Sequence, residues 1–186
     1  MGGMADGGRT PQNLRGEDIG IISPYIAQVA LLTRLLNTDA SYQKRFKASL
    51  GDLGTMQLAN IEVKTVDGFE GREKEVIVFS TVRNNVGGYI GFLADRRRLN
   101  VGVTRAKRGL FLVGNMNTLS NGWTNVRQGG QGKRTGKGAE AWRRYMEDLK
   151  ERGLVVSLTG ERLREALAGP LLPSLGVRSE EGDAAE

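Results

Sequence analysis

Five short apolar runs, separated by segments of helical character, most constrain what this chain can fold into. They are rich in Val, Ile and Leu and bounded by Gly, Asn or charged residues, as is typical of strands in a sheet covered by helices. The predicted strands are residues 19–22, 61–66, 76–82, 110–114 and 154–158.

Two of the segments between these runs predict amphipathic helices. Over residues 24–36, Ser23 would be the N-cap and Pro24 the first helical residue, and one face would pack on the sheet through Tyr25, Val29, Leu32 and Leu36. A second helix over residues 139–152 carries Trp142, which we interpret as a core anchor rather than a platform for a base. Residues 37–60 give a weaker pattern that is helical only in part.

A third helix is predicted over residues 95–110, which hold six basic side chains in sixteen positions. Asp95 would be its N-cap and Gly109 its C-terminal stop. At about 100° per residue, one face is apolar and the other basic, with Arg97, Arg98, Thr104, Arg105 and Arg108 on the basic side. The basic face is either solvated or binds phosphates.

The alternation of strands and helices predicts a doubly wound α/β fold, with a mostly parallel sheet and helices on both faces. A charged, Gly-containing loop over residues 67–73 lies between two predicted strands. In an open α/β sheet such loops present ligand-binding groups, although a surface turn with internal charge pairs explains the pattern equally well.

The remaining segments set the predicted domain boundaries. Residues 1–17 read as a flexible leader, and residues 18–160 as one domain with a flexible, basic, Gly-rich insertion at about 116–138. Residues 161–186 read as a short helix followed by a disordered acidic tail. The Gly–Lys pairs of the insertion lack the spacing of a phosphate-binding loop.

Composition excludes several kinds of chemistry. The chain has no Cys and no His, so thiolate metal sites, disulfides and Ser-His-Asp triads are ruled out, and we expect no metal site. Its net charge is +6, and because four of the 21 acidic residues lie in the last eight positions, the remainder carries +10. That charge favours a polyanionic partner. We expect no membrane span or signal peptide and an intracellular protein, nuclear or cytoplasmic, whose oligomeric state is left open.

Three blocks of sequence resemble motifs IV, V and VI of superfamily 1 helicases, in that order. They are residues 19–28, IGIISPYIAQ, residues 65–75, TVDGFEGREKE, and residues 91–107, GFLADRRRLNVGVTRAK. The similarity is to subfamily 1B, the group of the nonsense-mediated-decay helicase and senataxin. It implies a second, C-terminal RecA-like domain, which has the fold of P-loop NTPases without a P-loop of its own.

The resemblance also implies a nucleotide site. In this family ATP lies between two RecA-like domains, and the first domain supplies the phosphate loop and holds Mg²⁺. Arg105 would be the arginine finger, a fixed positive charge that stabilises the phosphoryl group in transfer. The other residues implied to bind the nucleotide or to hold its site together are Gly71, Arg72, Glu73 and Arg98.

A single-stranded RNA or DNA would be the second ligand, contacted mainly through its backbone. The residues implied to line its track are Ser23, Pro24, Tyr25, Thr65, Val66 and Asp67. Glu70 departs from the family, in which many members have Gln, and would add a negative charge near the phosphates of the nucleotide.

Two functions remain open from the sequence. No phosphate loop, acidic box or motif III precedes residue 19, so we expect the chain to begin inside the second domain and to be inactive alone. It would be the C-terminal motor domain of an ATP-dependent helicase, active with a first RecA-like domain on the same or another polypeptide. Alternatively, it is a non-catalytic module that binds nucleic acid or a helicase.

Overall fold

Within the part of the chain that the structure describes, a four-stranded, all-parallel sheet with helices packed on it forms the α/β, RecA-like fold expected from the sequence. The computed structural model describes residues 14–123, 137–158, 160, 161 and 164. The strands are β1 (Ile19–Ser23), β2 (Glu62–Thr65), β3 (Lys74–Ser80) and β4 (Ala106–Val113), in the order β2-β1-β3-β4.

The helices lie between and after these strands. They are α1 (Ile26–Asn37), α2 (Ala40–Gln57), α3 (Arg96–Val103), α4 (Met116–Ser120) and α5 (Lys137–Glu151). The chain moves one way along the sheet from β1 to β2 and the other way from β3 to β4, so right-handed crossovers put α1 and α3 on opposite faces. None of the described helices is long and apolar enough to cross a membrane.

The main core lies on the α3 and α5 side of the sheet. Trp142 of α5 is fully buried there with Ile77 and Phe79 of β3, and its indole Nε1 donates a 2.7 Å hydrogen bond to the carbonyl of Leu93. This bond satisfies the polar atom that a buried Trp carries. Trp142 is therefore a core anchor, as predicted, and it fixes the turn that leads into α3.

The single helix predicted over residues 95–110 is wrong beyond Val103. Asp95 is its N-cap, as predicted, and accepts a 2.8 Å hydrogen bond from the backbone N–H of Arg97. The helix then stops, and Ala106–Val113 form strand β4, in which Gly109 pairs with Val76 instead of ending a helix. Pairing along β3 overrides the local helical periodicity, since the strand satisfies the backbone of β4 and buries Leu110 and Leu112 against the core.

Three further predictions differ from the structure. Helix α1 begins at Ile26 with Tyr25 at the N-cap, so Ser23 and Pro24 precede it, and its inner face is only partly buried. Residues 154–158 form no strand and are exposed. Helix α2 is long and kinked at Gly51, where φ is 70°.

The predicted flexible segments fall mostly outside the described residues. This holds for positions 1–13 of the leader, for 124–136 of the insertion and for nearly all of the tail beyond 161. The insertion was expected to begin at about residue 116, but Met116–Ser120 form α4, which packs against α5.

Gly102 of α3 packs so closely on β3 that a methyl group would not fit. A Cβ atom there would lie 2.5 Å from Cε1 of Phe79. Alanine has the higher helix propensity, by about 1 kcal/mol, but overpacking costs about 1–3 kcal/mol. We predict that Gly102→Ala lowers the free energy of unfolding measured in urea. Gly109→Ala, whose nearest neighbours would lie at 3.9 Å, is the control, and a Gly102→Ala variant as stable as the parent would contradict this packing.

Candidate functional site

The predicted site residues divide between the two ends of the sheet. The strands are parallel, so Ser23, the last residue of β1, and Thr65, the last residue of β2, share the carboxyl-terminal edge. Glu73, before β3, and Arg105, before β4, share the amino-terminal edge. Helix α3 runs from one edge to the other. Arg98 lies in its first turn, and Arg105 lies two residues beyond its last residue, Val103.

At the carboxyl-terminal edge, two of the predicted residues are buried. The side chain of Ser23 is 0% exposed and that of Val66 is 2% exposed, and the backbone N–H of Val66 donates to the carbonyl of Ser23 at 3.2 Å. Thr65 accepts a 3.1 Å hydrogen bond from the N–H of Gly68 through Oγ1. Ser23 and Val66 therefore shape this edge, whereas Thr65, Asp67, Pro24 and Tyr25 are at least partly open to solvent.

Asp67 and Arg98 form a bidentate ion pair at the same edge. The guanidinium Nε and Nη2 of Arg98 each donate a 3.0 Å hydrogen bond to the Asp67 carboxylate. These hydrogen bonds hold the pKa of Asp67 below its ordinary value and raise the pKa of Arg98. The pair joins the turn Asp67–Phe69 to the first turn of α3, so Arg98 holds motifs V and VI together at this end of the helix.

Arg83 and Phe92, which the sequence analysis missed, lie beside this pair. Arg98 lies over the ring of Phe92 at 5.3 Å, and Phe92 meets the ring of Tyr25 edge to face at 5.7 Å. Arg83 lies over the Tyr25 ring at 4.9 Å and over the Tyr89 ring at 5.2 Å. The position of Arg83 in the sequence could have identified it, because Arg83 follows β3 at the edge where open α/β sheets present ligand groups.

At the amino-terminal edge, Arg105 lies in the bend between α3 and β4. Its carbonyl accepts a 3.1 Å hydrogen bond from the N–H of Lys74, the first residue of β3. Its Nη2 donates to Oγ1 of Thr104 at 2.9 Å, while its Nε is buried and has no partner among the described residues. A buried donor without a partner is costly and needs an explanation such as a ligand.

Arg108, the neighbouring arginine on β4, differs from Arg105 in having a carboxylate partner. Arg108 pairs with Glu75 at 2.8 Å, whereas within the described part of the chain no carboxylate lies in ion-pair range of Arg105. Gly71, with φ of 74°, and Glu73 are exposed in the loop that leads to β3.

Arg72 points away from Arg105. Its Nη1 donates to Oε1 of Glu62 at 2.6 Å, and Lys74 lies 3.4 Å from the other carboxylate oxygen. Glu62 begins β2, which is separated from β3 by β1, so the side chain of Arg72 is turned away from β4. The structure thus brings Arg105 to the edge shared with Glu73, but directs Arg72 elsewhere.

Comparison with known proteins identifies the family. A family profile described as "AAA domain" matches residues 6–117, more than half of the chain. "Regulator of nonsense transcripts 1 homolog" of Drosophila melanogaster is 35% identical over 154 residues, which are 83% of this chain and 11% of that protein. The chain belongs to the superfamily 1 helicases of the nonsense-mediated-decay type.

Two yeast helicases show similar matches. "ATP-dependent helicase NAM7" of Saccharomyces cerevisiae is 43% identical over 107 residues, which are 58% of this chain and 10% of that protein. "DNA polymerase alpha-associated DNA helicase A" of the same yeast is also 43% identical over 107 residues, or 58% of this chain and 13% of that protein. The chain therefore spans about a tenth of the length of these helicases, and its similarity to them is consistent with a C-terminal RecA-like domain.

The Asp67–Arg98 pair can be tested by measuring the pKa of Asp67 in this helicase domain. Because the folded-state pKa of Asp67 is lowered, the pair's contribution to stability is present above the unfolded pKa of about 3.9 and is lost as pH falls through the folded pKa. We predict that Arg98→Ala returns the pKa of Asp67, measured by NMR, towards its ordinary value. Arg108→Ala, which removes a partner of Glu75 instead, should leave it unchanged. If the pKa of Asp67 is the same in Arg98→Ala as in the parent, the pair does not form in solution.

Proposed function

We propose that this chain is the second RecA-like domain of an ATP-dependent RNA or DNA helicase, supplying the arginine finger and part of the track for a single strand. The observation that carries the proposal is the state of Arg105, a partly buried residue whose guanidinium has a buried, unpartnered Nε and no carboxylate partner among the described residues. An arginine held in this way retains its charge for an anionic ligand.

Arg105 suits the chemistry of phosphoryl transfer. A guanidinium stays protonated and presents several donors in a plane, so it can stabilise negative charge developing on the phosphoryl oxygens. Its backbone is tied to the sheet just after α3 ends, because its carbonyl accepts a hydrogen bond from the N–H of Lys74. The side chain can therefore be held in position before the nucleotide arrives, so little reorganisation is needed during the reaction.

The other nucleotide contacts would come from the loop that precedes β3. Exposed Glu73 would accept hydrogen bonds from the ribose hydroxyls, and Gly71 would let the backbone approach the nucleotide, since no atom lies within 4 Å of the position its Cβ would occupy. Arg72 would join the site only by leaving Glu62. Mg²⁺ and the phosphate loop belong to the first RecA-like domain in this proposal.

The single strand would run along the carboxyl-terminal edge of the sheet. Thr65, Asp67 and Tyr25 present polar and aromatic groups there beside Pro24, and the buried Ser23 and Val66 support them. Contacts to a nucleic-acid backbone carry little sequence information, so the track would accept many sequences. Helix α3 would link the two ligands, with the Asp67–Arg98 pair at one end and Arg105 at the other.

Replacing Arg105 tests the proposed finger. In a two-domain motor that joins this chain to a first RecA-like domain, Arg105→Ala should reduce nucleic-acid-stimulated ATP hydrolysis by about 10³- to 10⁵-fold. Arg108→Ala, an exposed arginine three residues away on β4, should hydrolyse ATP at close to the parent rate. An Arg105→Ala motor as active as the parent would disprove the assignment.

A parent motor that binds nucleic acid in a salt-dependent manner but hydrolyses no ATP would instead support the non-catalytic module.

A further inference from the structure

A strained turn at the end of β3 positions Arg83. Val82 has φ of 65°, the only positive φ of a non-glycine residue in the described part of the chain, and β-branched residues rarely adopt it. The N–H of Arg83 donates to the carbonyl of Thr81 at 2.7 Å, which closes a tight three-residue turn. Backbone strain of this kind persists where surrounding structure enforces it, and it is concentrated at ligand-binding positions.

The turn directs Arg83 into a cluster of aromatic rings. Its Nε donates a 2.5 Å hydrogen bond to Oη of Tyr25, and its guanidinium lies over the rings of Tyr25 and Tyr89. Gly91, with φ of 54°, leaves room for this contact, because a Cβ there would lie 3.0 Å from Nη2 of Arg83 and 3.2 Å from the Tyr25 hydroxyl. The cluster is therefore closely packed on its inner side.

Phe92 forms the outer side of the cluster and is open to solvent. Its side chain is 55% exposed, although it follows Gly91 directly and precedes the buried Leu93. Tyr25 contacts the ring at one side and Arg98 lies over it, and Arg98 is itself held by the two hydrogen bonds to Asp67. The ring is thus fixed in place while more than half of its surface remains uncovered.

We propose that Phe92 is a base-stacking residue for single-stranded nucleic acid, with Arg83 as a positioning residue that holds Tyr25 behind it. An aromatic ring held in one orientation stacks with any base, and adjacent guanidinium groups attract the phosphates. The charge favours this occupant, because Arg96 and Arg97 are also exposed on the first turn of α3 next to the cluster. The inference rests on the proposed function and adds a base contact to a track otherwise made of backbone contacts.

Binding of the 186-residue chain to short single strands tests this role. Fluorescence anisotropy at low salt would compare oligo(U), oligo(dT) and a strand of equal length and charge that lacks bases. Since stacking on one base is worth about 1–3 kcal/mol, Phe92→Ala should weaken binding of the base-bearing strands by about 5- to 150-fold and leave the abasic strand almost unaffected. Comparing the first two strands shows whether RNA and DNA are both accepted.

Three variants separate stacking from folding. Phe92→Leu keeps an apolar side chain without a ring and should bind as weakly as Phe92→Ala, whereas Phe92→Trp should bind at least as well as the parent. Phe111→Ala removes another exposed ring, 62% exposed on β4, and should bind like the parent. The urea midpoints of all variants would confirm that they are folded. If Phe92→Ala does not fold, the binding of Phe92→Leu decides whether Phe92 stacks on bases.

The outcomes distinguish this inference from the function on which it rests. The inference is wrong if the parent binds the strands and Phe92→Leu binds them equally well. It is also wrong if Phe92→Leu loses as much affinity for the abasic strand as for the base-bearing strands, because Phe92 then does not stack on bases. A Phe92→Trp variant as weak as Phe92→Leu would also overturn it. If the parent binds none of the strands even at low salt, both the proposed track and the role of Phe92 are refuted.

Discussion

The pairing of β4 with β3 is the constraint on which the rest of the site depends. By drawing residues from Ala106 onwards into the sheet, it ends α3 at Val103 and leaves Arg105 in the bend between helix and strand. The backbone of Arg105 is then fixed by its hydrogen bond from Lys74, while its side chain keeps a buried Nε without a partner in the described structure. A continuous helix would have given Arg105 a solvated face instead.

Helix α3 also depends on two contacts along its length. Gly102 allows it to lie directly against Phe79, and the Asp67–Arg98 pair attaches its first turn to the turn that follows β2. The helix is therefore held against β3 and against the turn that follows β2. In the proposed function α3 would lie between the two ligands, and a packed helix in that position is the kind of structure through which binding at one site can affect the other.

Much of the fold could be predicted from the sequence, because four apolar runs correspond to the four strands and Trp142 has the helical spacing of a core residue. The boundary within residues 95–110 could not, since the segment has a helical pattern throughout and only its pairing with Val76 and its neighbours reveals the strand. For the candidate site, the family motifs identified the residues but not their side-chain directions. The burial of Ser23 and the cluster around Arg83 depend on contacts between segments far apart in the sequence. The pairing of Arg72 with Glu62, ten residues away, depends on where the sheet places β2 relative to the loop before β3.

The proposed finger requires Arg105 to reach the nucleotide, and a structure of the two-domain motor with ADP and a fluoride mimic of the transferred phosphoryl group tests this most directly. We predict that guanidinium nitrogens of Arg105, including the Nε that is unpartnered among the described residues, lie about 2.7–3.1 Å from the fluoride atoms. A structure in which the guanidinium of Arg105 points away from the mimic would contradict this role.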